Sequence, residues 1–245
     1  MEKPKRQRID KMLVDLAHFP SRERAQRAIL AGDVLVNEQV IDKPGTLIRP
    51  DASIRVTAQE KYVGRGAYKL EAALDHFEID PTGFLCLDVG ASTGGFTDCL
   101  LQRGAKGVIA LDVGHNQLAW KIRSDPRVQV HEGFNARRLG PDVIGSKVQL
   151  AVVDVSFISL TLVLGPILSC LVSGGSLLAL IKPQFELEAA QVGKGGIVRN
   201  DFSRQSAVEK IRTFCMEHLN REWIGVIDSP ITGAKGNKEF LACLR

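Results

Sequence analysis

The feature of this sequence that most limits its fold is a regular alternation of strand-like and helical segments after residue 84. Runs rich in Val, Leu and Ile occur at 84–89, 108–113, 128–131, 148–154, 176–181, 223–227 and 239–244. Helical stretches at 96–103, 116–123 and 203–220 separate several of these runs. Such alternation predicts an α/β fold, with a mostly parallel sheet of seven strands and helices on both faces. The last two runs, joined by 229–233, predict an antiparallel closing hairpin.

The residues before this region predict a separate small module that contains both helices and strands. Apolar residues repeat at helical spacing in two stripes, first Ile9, Met12, Leu13 and Leu16, then Ala25, Ala28 and Ile29. Ser21 is a natural N-cap for the second helix. Short strands are predicted at 34–37 and 53–56. We therefore predict an α+β module at 1–58, a connector at 59–66 and the α/β domain at 67–245.

The positive charge of the chain is concentrated at its beginning. The whole chain carries a net charge of +4. Residues 1–27 contain eight lysines and arginines against four acids, so the entire surplus lies in this segment. A local basic surface is typical of proteins that bind a polyanion, and a charged helix that only aids solubility would have the same composition. Charge alone leaves both interpretations open.

Cysteine usage and hydropathy argue against a secreted or membrane protein. The five cysteines show no CxxC pair and no metal-ligand spacing, which predicts reduced thiols, no metal site and a cytoplasmic location. The charged residues 1–5 precede no apolar stretch, so no signal peptide is predicted. Residues 155–181 carry no formal charge and could span a bilayer by length. Breaks at Gly165-Pro166 and 173–175 instead predict a helix, a turn and a strand, and no membrane association.

A glycine-rich segment directly follows the first strand of the α/β region, and it reads Leu87-Asp88-Val89-Gly90-Ala91-Ser92-Thr93-Gly94-Gly95-Phe96. Ligands of α/β sheets bind beyond the carboxyl ends of strands, where glycines let the backbone approach them closely. A dinucleotide loop would have glycine in place of Ser92. The GxSxG loop of α/β-hydrolases matches 90–94, but no histidine follows where such an enzyme needs one. A methyltransferase loop begins with an acid on the strand, as Asp88 does here.

Acids at the ends of three predicted strands favour a cationic cofactor. Asp88, Asp112 and Asp154 end the first, second and fourth strands. Asp112 suits the two hydroxyls of a ribose, and Asn135 follows the third strand where an adenine would lie. These acids would repel a phosphate-bearing cofactor and attract the sulfonium of S-adenosylmethionine. The sequence predicts that this cofactor is bound by Asp88, Gly90, Ser92, Gly94, Gly95, Phe96, Asp112, Asn135 and Asp154.

Four charged residues are candidates for chemistry, namely Lys69, Asp154, Lys182 and Glu239. Lys182 directly follows an apolar strand, where a lysine is costly unless it emerges at the edge that binds the ligand. For Lys69 alone, a solvated helix face is a sufficient explanation.

The N-terminal residues 8–56 resemble the alpha-L RNA-binding module of ribosomal proteins and pseudouridine synthases. The resemblance is carried by Arg8-Ile9-Asp10, Leu13, Ser21-Arg22, Ala25, Ile29, Gly32, Val34 and Val36-Asn37. It implies that Arg22, Arg24 and Arg27 face RNA phosphates, with Arg8 and Arg65 as further RNA-binding candidates.

The order of Lys69, Asp154, Lys182 and Glu239 resembles the Lys-Asp-Lys-Glu tetrad of ribose 2′-O-methyltransferases related to FtsJ. The stretches 65–70, 88–96, 154–159 and 181–186 carry this resemblance, and Ala67 stands where relatives often have glycine. Together with the N-terminal module, residues 8–245 resemble the TlyA family, also called hemolysin A. The resemblance implies a Rossmann-like methyltransferase sheet whose last strand is antiparallel.

The resemblance further implies methyl transfer from S-adenosylmethionine to a cytidine 2′-hydroxyl of ribosomal RNA, on the large subunit and in some members also on the small one. Ribosomal RNA or ribosomal subunits would be the partner. A ribose hydroxyl needs a base, and a lysine serves as one only when its amine is neutral. We predict Lys182 as the base, Lys69 as the neighbouring charge that favours its neutral form, and Asp154 and Glu239 as orienting groups. Two alternatives remain, a membrane-active hemolysin-like protein and a non-catalytic RNA-binding protein with the same fold.

Overall fold

The computed structural model describes residues 6–57 and 61–245, and the chain forms two compact units, Met1–Lys61 and Tyr62–Arg245. The sequence interpretations of residues 1–5 and of residues 58–60 lie outside the described residues. Residues 62–66, which the sequence assigned to a connector, pack within the second unit. Tyr62 is buried and its hydroxyl donates to Glu71 Oε1 at 2.9 Å, while Val63 N donates to Asp98 Oδ2 at 2.8 Å.

Within residues 6–57, the first unit contains two helices, α1 (Ile9–Asp15) and α2 (Arg22–Leu30). Ser21 caps α2 as predicted, because its side chain accepts the Arg24 N–H. The predicted apolar stripes form the core of this unit, which is closed by Val34, Val36 and Ile48. Leu16 is an exception, since α1 ends before it and leaves its side chain 55% exposed.

Short strands complete the first unit. The two predicted strands are β2 (Val34–Val36) and β5 (Ile54–Val56), which pair in antiparallel fashion. Three further strands of two residues each were not predicted, because so short a segment shows no periodicity. They are β1 (Gln7–Arg8), β3 (Gln39–Val40) and β4 (Leu47–Ile48), with β3 on β2 and β1 on β4.

The second unit is built on a seven-stranded sheet, which confirms the predicted fold class. Its strands are β6 (Leu85–Val89), β7 (Gly107–Leu111), β8 (Val128–His131), β9 (Val148–Val153), β10 (Leu171–Ile181), β11 (Trp223–Asp228) and β12 (Phe240–Leu244). The order across the sheet is β11-β12-β10-β9-β6-β7-β8. Strands β6 to β10 pair in parallel, whereas β12 runs antiparallel to both of its neighbours.

Helices cover both faces of this sheet, because alternate strand residues point to opposite faces. Leu87 and Val89 pack into one core and Cys86 into the other. Residues of α3 (Ala67–His76), α4 (Gly95–Gln102) and α5 (Trp120–Arg123) belong to the core that contains Cys86. Residues of α6 (Pro141–Ile144), α7 (Leu164–Ser169) and α9 (Asp201–Thr213) belong to the other, and α8 (Pro183–Glu186) follows β10.

Two predicted helices were wrong in extent, and two predicted breaks lie inside elements instead of between them. The helix at 116–123 is only α5, because Asn116 has a left-handed backbone and the chain turns there. The helix at 203–220 ends as α9 at Thr213 and continues as a π-helical turn, Phe214–His218. Gly165-Pro166 does not interrupt α7, since proline is tolerated in a first turn. Gly174 lies inside β10, at a bulge rather than between elements.

The five cysteines are buried and free, as predicted. Within residues 6–57 and 61–245, no helix combines the length and the apolar character that crossing a membrane requires.

Candidate active site

The chain reverses its direction across the sheet between β6 and β9, and the predicted glycine loop lies at the carboxyl ends of these two strands. Such a reversal opens a crevice where α/β proteins bind ligands. Gly90 has φ +88, and a Cβ there would collide with the carbonyl oxygen of Asp154. Glycine is therefore required at this position, and its absent side chain brings the loop directly against Asp154.

A cavity of about 420 Å³ opens at this edge of the sheet, within the size range of small-molecule sites. Five of the predicted cofactor residues line it, namely Gly90, Ser92, Asp112, Asn135 and Asp154. The other four predicted residues are buried in the strand, loop and helix behind it, and they are Asp88, Gly94, Gly95 and Phe96. The structure therefore brings the predicted set together, with part of it lining the cavity and part supporting it.

Asp112 joins two segments that border the cavity. Its Oδ2 accepts the Ser92 N–H at 2.8 Å, and its Oδ1 accepts the Gly114 N–H at 2.7 Å. Each carboxylate oxygen can accept a second hydrogen bond, so Asp112 can hold the loop and a ligand hydroxyl at the same time. Asn135 has a similar double role, because its side-chain oxygen accepts the Arg137 N–H while the residue lines the cavity.

Asp88 lies fully buried behind the glycine loop. Its Oδ2 accepts the Thr97 hydroxyl at 2.6 Å, and its Oδ1 has no hydrogen-bond partner among the residues that the structure describes. Burial raises the pKa of Asp88 to about 7. The hydrogen bond from Thr97 opposes this rise, whereas the negative charges of Asp154 and Asp112 add to it. The site is therefore short of positive charge, and a bound cation would stabilise these acids.

The four candidate catalytic residues form two ion pairs with little solvent exposure. Lys69 Nζ lies 2.5 Å from Glu239 Oε2, with side chains 9% and 2% exposed. Lys182 Nζ lies 2.5 Å from Asp154 Oδ1, with side chains 11% and 19% exposed. The solvated-face interpretation of Lys69 is therefore wrong. Glu239 precedes β12 instead of opening it, and β12 lies between β10 and β11.

Sequence reasoning missed two residues on the loop that follows Asp154. Ser156 lines the cavity, and its Oγ accepts a hydrogen bond from Lys182 Nζ at 2.8 Å. Phe157 is 89% exposed and has φ +64, a conformation that is costly for a bulky residue and common at functional sites. Both residues lie within a stretch that resembles the family motif, and no spacing rule distinguishes their side chains from their neighbours.

The predicted RNA-binding arginines of the first unit differ in their surroundings. Arg8 and Arg22 both bind the fully buried carboxylate of Asp10, at 2.9 and 2.8 Å. The bond from Arg8 is the main reason that the pKa of Asp10 lies well below its usual range. These two arginines therefore stabilise the module, whereas Arg27 extends into solvent from α2 and Arg65 is exposed in the second unit. Arg24, half-buried, lies one turn before Arg27.

No group of three or more His, Cys, Asp or Glu side chains within 6–57 and 61–245 is arranged to hold a metal ion.

Two family models match separate parts of the chain. A model described as FtsJ-like methyltransferase matches residues 62–245, and one described as S4 domain matches residues 7–54. The chain is 43% identical over 243 residues to the 16S/23S rRNA (cytidine-2′-O)-methyltransferase TlyA of Mycobacterium tuberculosis, with 98% of this chain and 90% of that protein covered. It is 44% identical to Hemolysin A of Brachyspira hyodysenteriae, with 96% of this chain and 98% of that protein covered.

Solved structures agree with these matches. A Streptococcus thermophilus protein named as a hemolysin superposes with a TM-score of 0.75 at 41% identity, covering 98% of this chain and 88% of its own. Fibrillarin from Aeropyrum pernix shares the fold alone, with a TM-score of 0.51 at 16% identity, over 87% of this chain and 94% of its own.

Proposed function

The chain belongs to the TlyA family of FtsJ-like methyltransferases, and on this premise we propose that it methylates ribosomal RNA. It transfers a methyl group from S-adenosylmethionine to the 2′-hydroxyl of a cytidine, on the large subunit and, like its Mycobacterium tuberculosis relative, also on the small one. The observation that carries this proposal is the ion pair of Lys182 and Asp154 beside a cavity at the carboxyl edge of the sheet. Such a substrate implies that the protein works in the cytoplasm.

The residues at this edge fit S-adenosylmethionine. Gly90 and Ser92 line the cavity, and Asp112 supplies acceptor capacity for ribose hydroxyls. Asp88 and Asp112 contribute negative charge that the ion pair of Lys182 and Asp154 does not neutralise, which suits a cation and disfavours a phosphate. When bound, the cofactor supplies an electrophilic methyl group on a sulfonium and leaves as a neutral thioether.

Affinity for S-adenosylmethionine should rise as pH increases through 7. In the ligand-free protein Asp88 is half protonated near this pH, because its pKa is about 7. A bound cation favours the ionised carboxylate, so binding below pH 7 must also release a proton. We expect a gain of roughly five- to tenfold between pH 6 and pH 8, measured by calorimetry. Asparagine cannot ionise, so the Asp88→Asn variant should lose this rise in affinity with pH. An equal rise in the variant would mean that the pH dependence comes from the amine of the ligand and not from Asp88.

Replacing Asp112 by alanine should weaken S-adenosylmethionine binding by roughly 1–3 kcal/mol, the usual cost of losing a hydrogen-bonded acceptor. Its two bonds to the Ser92 and Gly114 N–H groups disappear together with the bond to the ribose. Asp112→Asn keeps one oxygen and should retain an intermediate affinity. Unchanged affinity of the alanine variant by calorimetry would show that Asp112 does not hold the cofactor.

A second cavity, of about 590 Å³, shares the wall formed by Phe157 and Ile158 with the cofactor cavity. The Phe157 and Phe185 rings lie 5.0 Å apart between centroids, and Arg137 lines the same cavity. Exposed aromatic rings beside an arginine are suited to stacking an unpaired base and binding its phosphate. We place the target nucleoside in this second cavity, because Lys182 contacts the loop that separates the two cavities.

Lys182 is the group that takes the proton of the attacking 2′-hydroxyl. Its amine must be neutral at that moment in order to accept the proton. Asp154 directs Lys182, and Glu239 compensates the charge of the buried Lys69. The protein's main contribution to rate is to hold the hydroxyl in line with the methyl group.

The proposal is tested by methyl transfer from labelled cofactor to ribosomal subunits and to free ribosomal RNA, with the modified nucleotide mapped. We expect a single type of product, a 2′-O-methylcytidine. Cofactor binding without transfer to either substrate would favour a non-catalytic RNA-binding protein. Lysis of erythrocytes or vesicles by the purified protein, without transfer, would favour the membrane-active alternative.

A further inference from the structure

Ser156 contacts the proposed base from the loop that follows β9. Lys182 Nζ lies 2.8 Å from Ser156 Oγ and 2.5 Å from Asp154 Oδ1. Asp154 and Ser156 both line the cofactor cavity. We infer that Ser156 is a positioning residue that acts with Asp154 to aim the lone pair of Lys182 at the substrate hydroxyl. This inference rests on the proposed function.

The shape of a primary amine explains why a second acceptor matters. A neutral lysine amine has two N–H bonds and one lone pair in tetrahedral directions, and it rotates freely about its last carbon–nitrogen bond. The ion pair with Asp154 holds the amine in place, and the N–H that it donates to Ser156 fixes its rotation, which restricts the directions open to the lone pair. Without the Ser156 acceptor, the amine can rotate beside Asp154, and the lone pair is spread over more directions. The proton leaves the 2′-hydroxyl for this lone pair, and Lys182 ends the step as an ammonium.

The loop that carries Ser156 is itself held to the segment that carries Lys182. Glu186, buried four residues after Lys182, accepts the Ser159 hydroxyl at 2.5 Å and the Leu160 N–H at 2.8 Å. The two segments are therefore joined at both ends, by Lys182 at one and Glu186 at the other. The left-handed backbone of Phe157 turns the chain between these two points of attachment. Ser156 is thus held in place before any substrate binds.

Replacing Ser156 by alanine should lower kcat about tenfold, because misdirection of a reacting group can cost up to about a hundredfold. The KM for RNA and the Kd for S-adenosylmethionine should stay within about threefold, since the interaction serves the reacting state. Ser156→Thr keeps the hydroxyl and should retain most of the wild-type kcat. Thr161→Ala removes a hydroxyl from the turn that follows this loop, outside both cavities, and should keep kcat within about threefold, because Ser159 still binds Glu186.

Three outcomes would overturn the inference, and a fourth would overturn the proposed function. If Ser156→Ala keeps kcat within twofold of wild type, the hydroxyl does not position the base. If Thr161→Ala reduces kcat as much as Ser156→Ala does, the effect belongs to the loop and not to the hydrogen bond with Lys182. If Ser156→Thr fails to restore kcat, the hydroxyl is not the group that matters. If the wild-type protein transfers no methyl group, the proposed function itself is wrong. The wild-type measurement therefore tests the function separately from the variants, which test the role of Ser156.

Discussion

Replacing Lys182 by alanine should lower the rate of methyl transfer about a thousandfold or more, while the affinity for S-adenosylmethionine changes by only a few-fold. A positioned general base contributes about a hundred- to ten-thousandfold to rate. Lys182 is absent from the residues that line the cofactor cavity, so its loss removes little binding. Transfer of labelled methyl to ribosomal RNA measures the rate, and calorimetry measures the affinity.

Lys182→Arg is the matched variant, because it separates the proton acceptor from the ion pair. Arginine keeps the positive charge and can donate to both Asp154 and Ser156, but it stays protonated and cannot accept a proton. We expect the arginine variant to unfold at nearly the wild-type temperature and to be as inactive as the alanine variant. Near-normal turnover in Lys182→Arg would mean that this side chain acts only as a positive charge.

Most of the fold could be predicted because it rests on long, regular patterns. The seven apolar runs became β6 to β12, and only their ends moved by a few residues, apart from β10. That strand begins at Leu171 and passes through Gly174 in a bulge. Glycine allows a bulge and a turn alike, so the local sequence does not choose between them. The pairing of Leu171 with Val148 of β9 decides the outcome, and this pairing is not visible in the sequence.

The candidate site could be predicted less completely, because residues from distant parts of the chain pair within it. Lys69 and Glu239 are 170 positions apart, and only the placement of β12 next to β10 joins them. On its own helix, Lys69 has the spacing of a surface lysine. Ser156 is a common residue in a common kind of loop, and its contact with Lys182 depends on β9 and β10 being neighbours. Strand order therefore decides which candidate residues meet.

In the basic N-terminal segment, too, the sequence alone does not show which charged side chains meet. The sequence predicted Arg22, Arg24 and Arg27 as one RNA-facing group, yet Arg22 binds the buried Asp10. Removing Arg22 would leave a buried carboxylate with fewer partners and would destabilise the module. An experiment on RNA affinity must therefore leave Arg8 and Arg22 in place, and change only the arginines farther along α2.

Reversing the charge of Arg24 and Arg27 to glutamate should weaken binding to ribosomal RNA about a hundredfold at low salt. Phosphate contacts supply much of RNA affinity, and each reversal replaces an attraction with a repulsion. The log–log dependence of affinity on salt should become less steep by roughly 0.7 to 0.9 for each phosphate that the variant no longer binds. S-adenosylmethionine binding should not change, because every residue of its cavity lies in the second unit.

Lys106→Glu with Lys147→Glu provides a control with the same change in net charge. These two exposed lysines precede β7 and β9, at the edge of the sheet opposite the candidate site. If a specific surface of α2 binds phosphates, the control pair should keep both the affinity and the salt slope of the wild type. If both pairs weaken binding equally, total charge explains the effect and α2 has no special role. If the Arg24 and Arg27 pair keeps the wild-type slope, the first unit serves stability or assembly, and RNA binds through other parts of the protein.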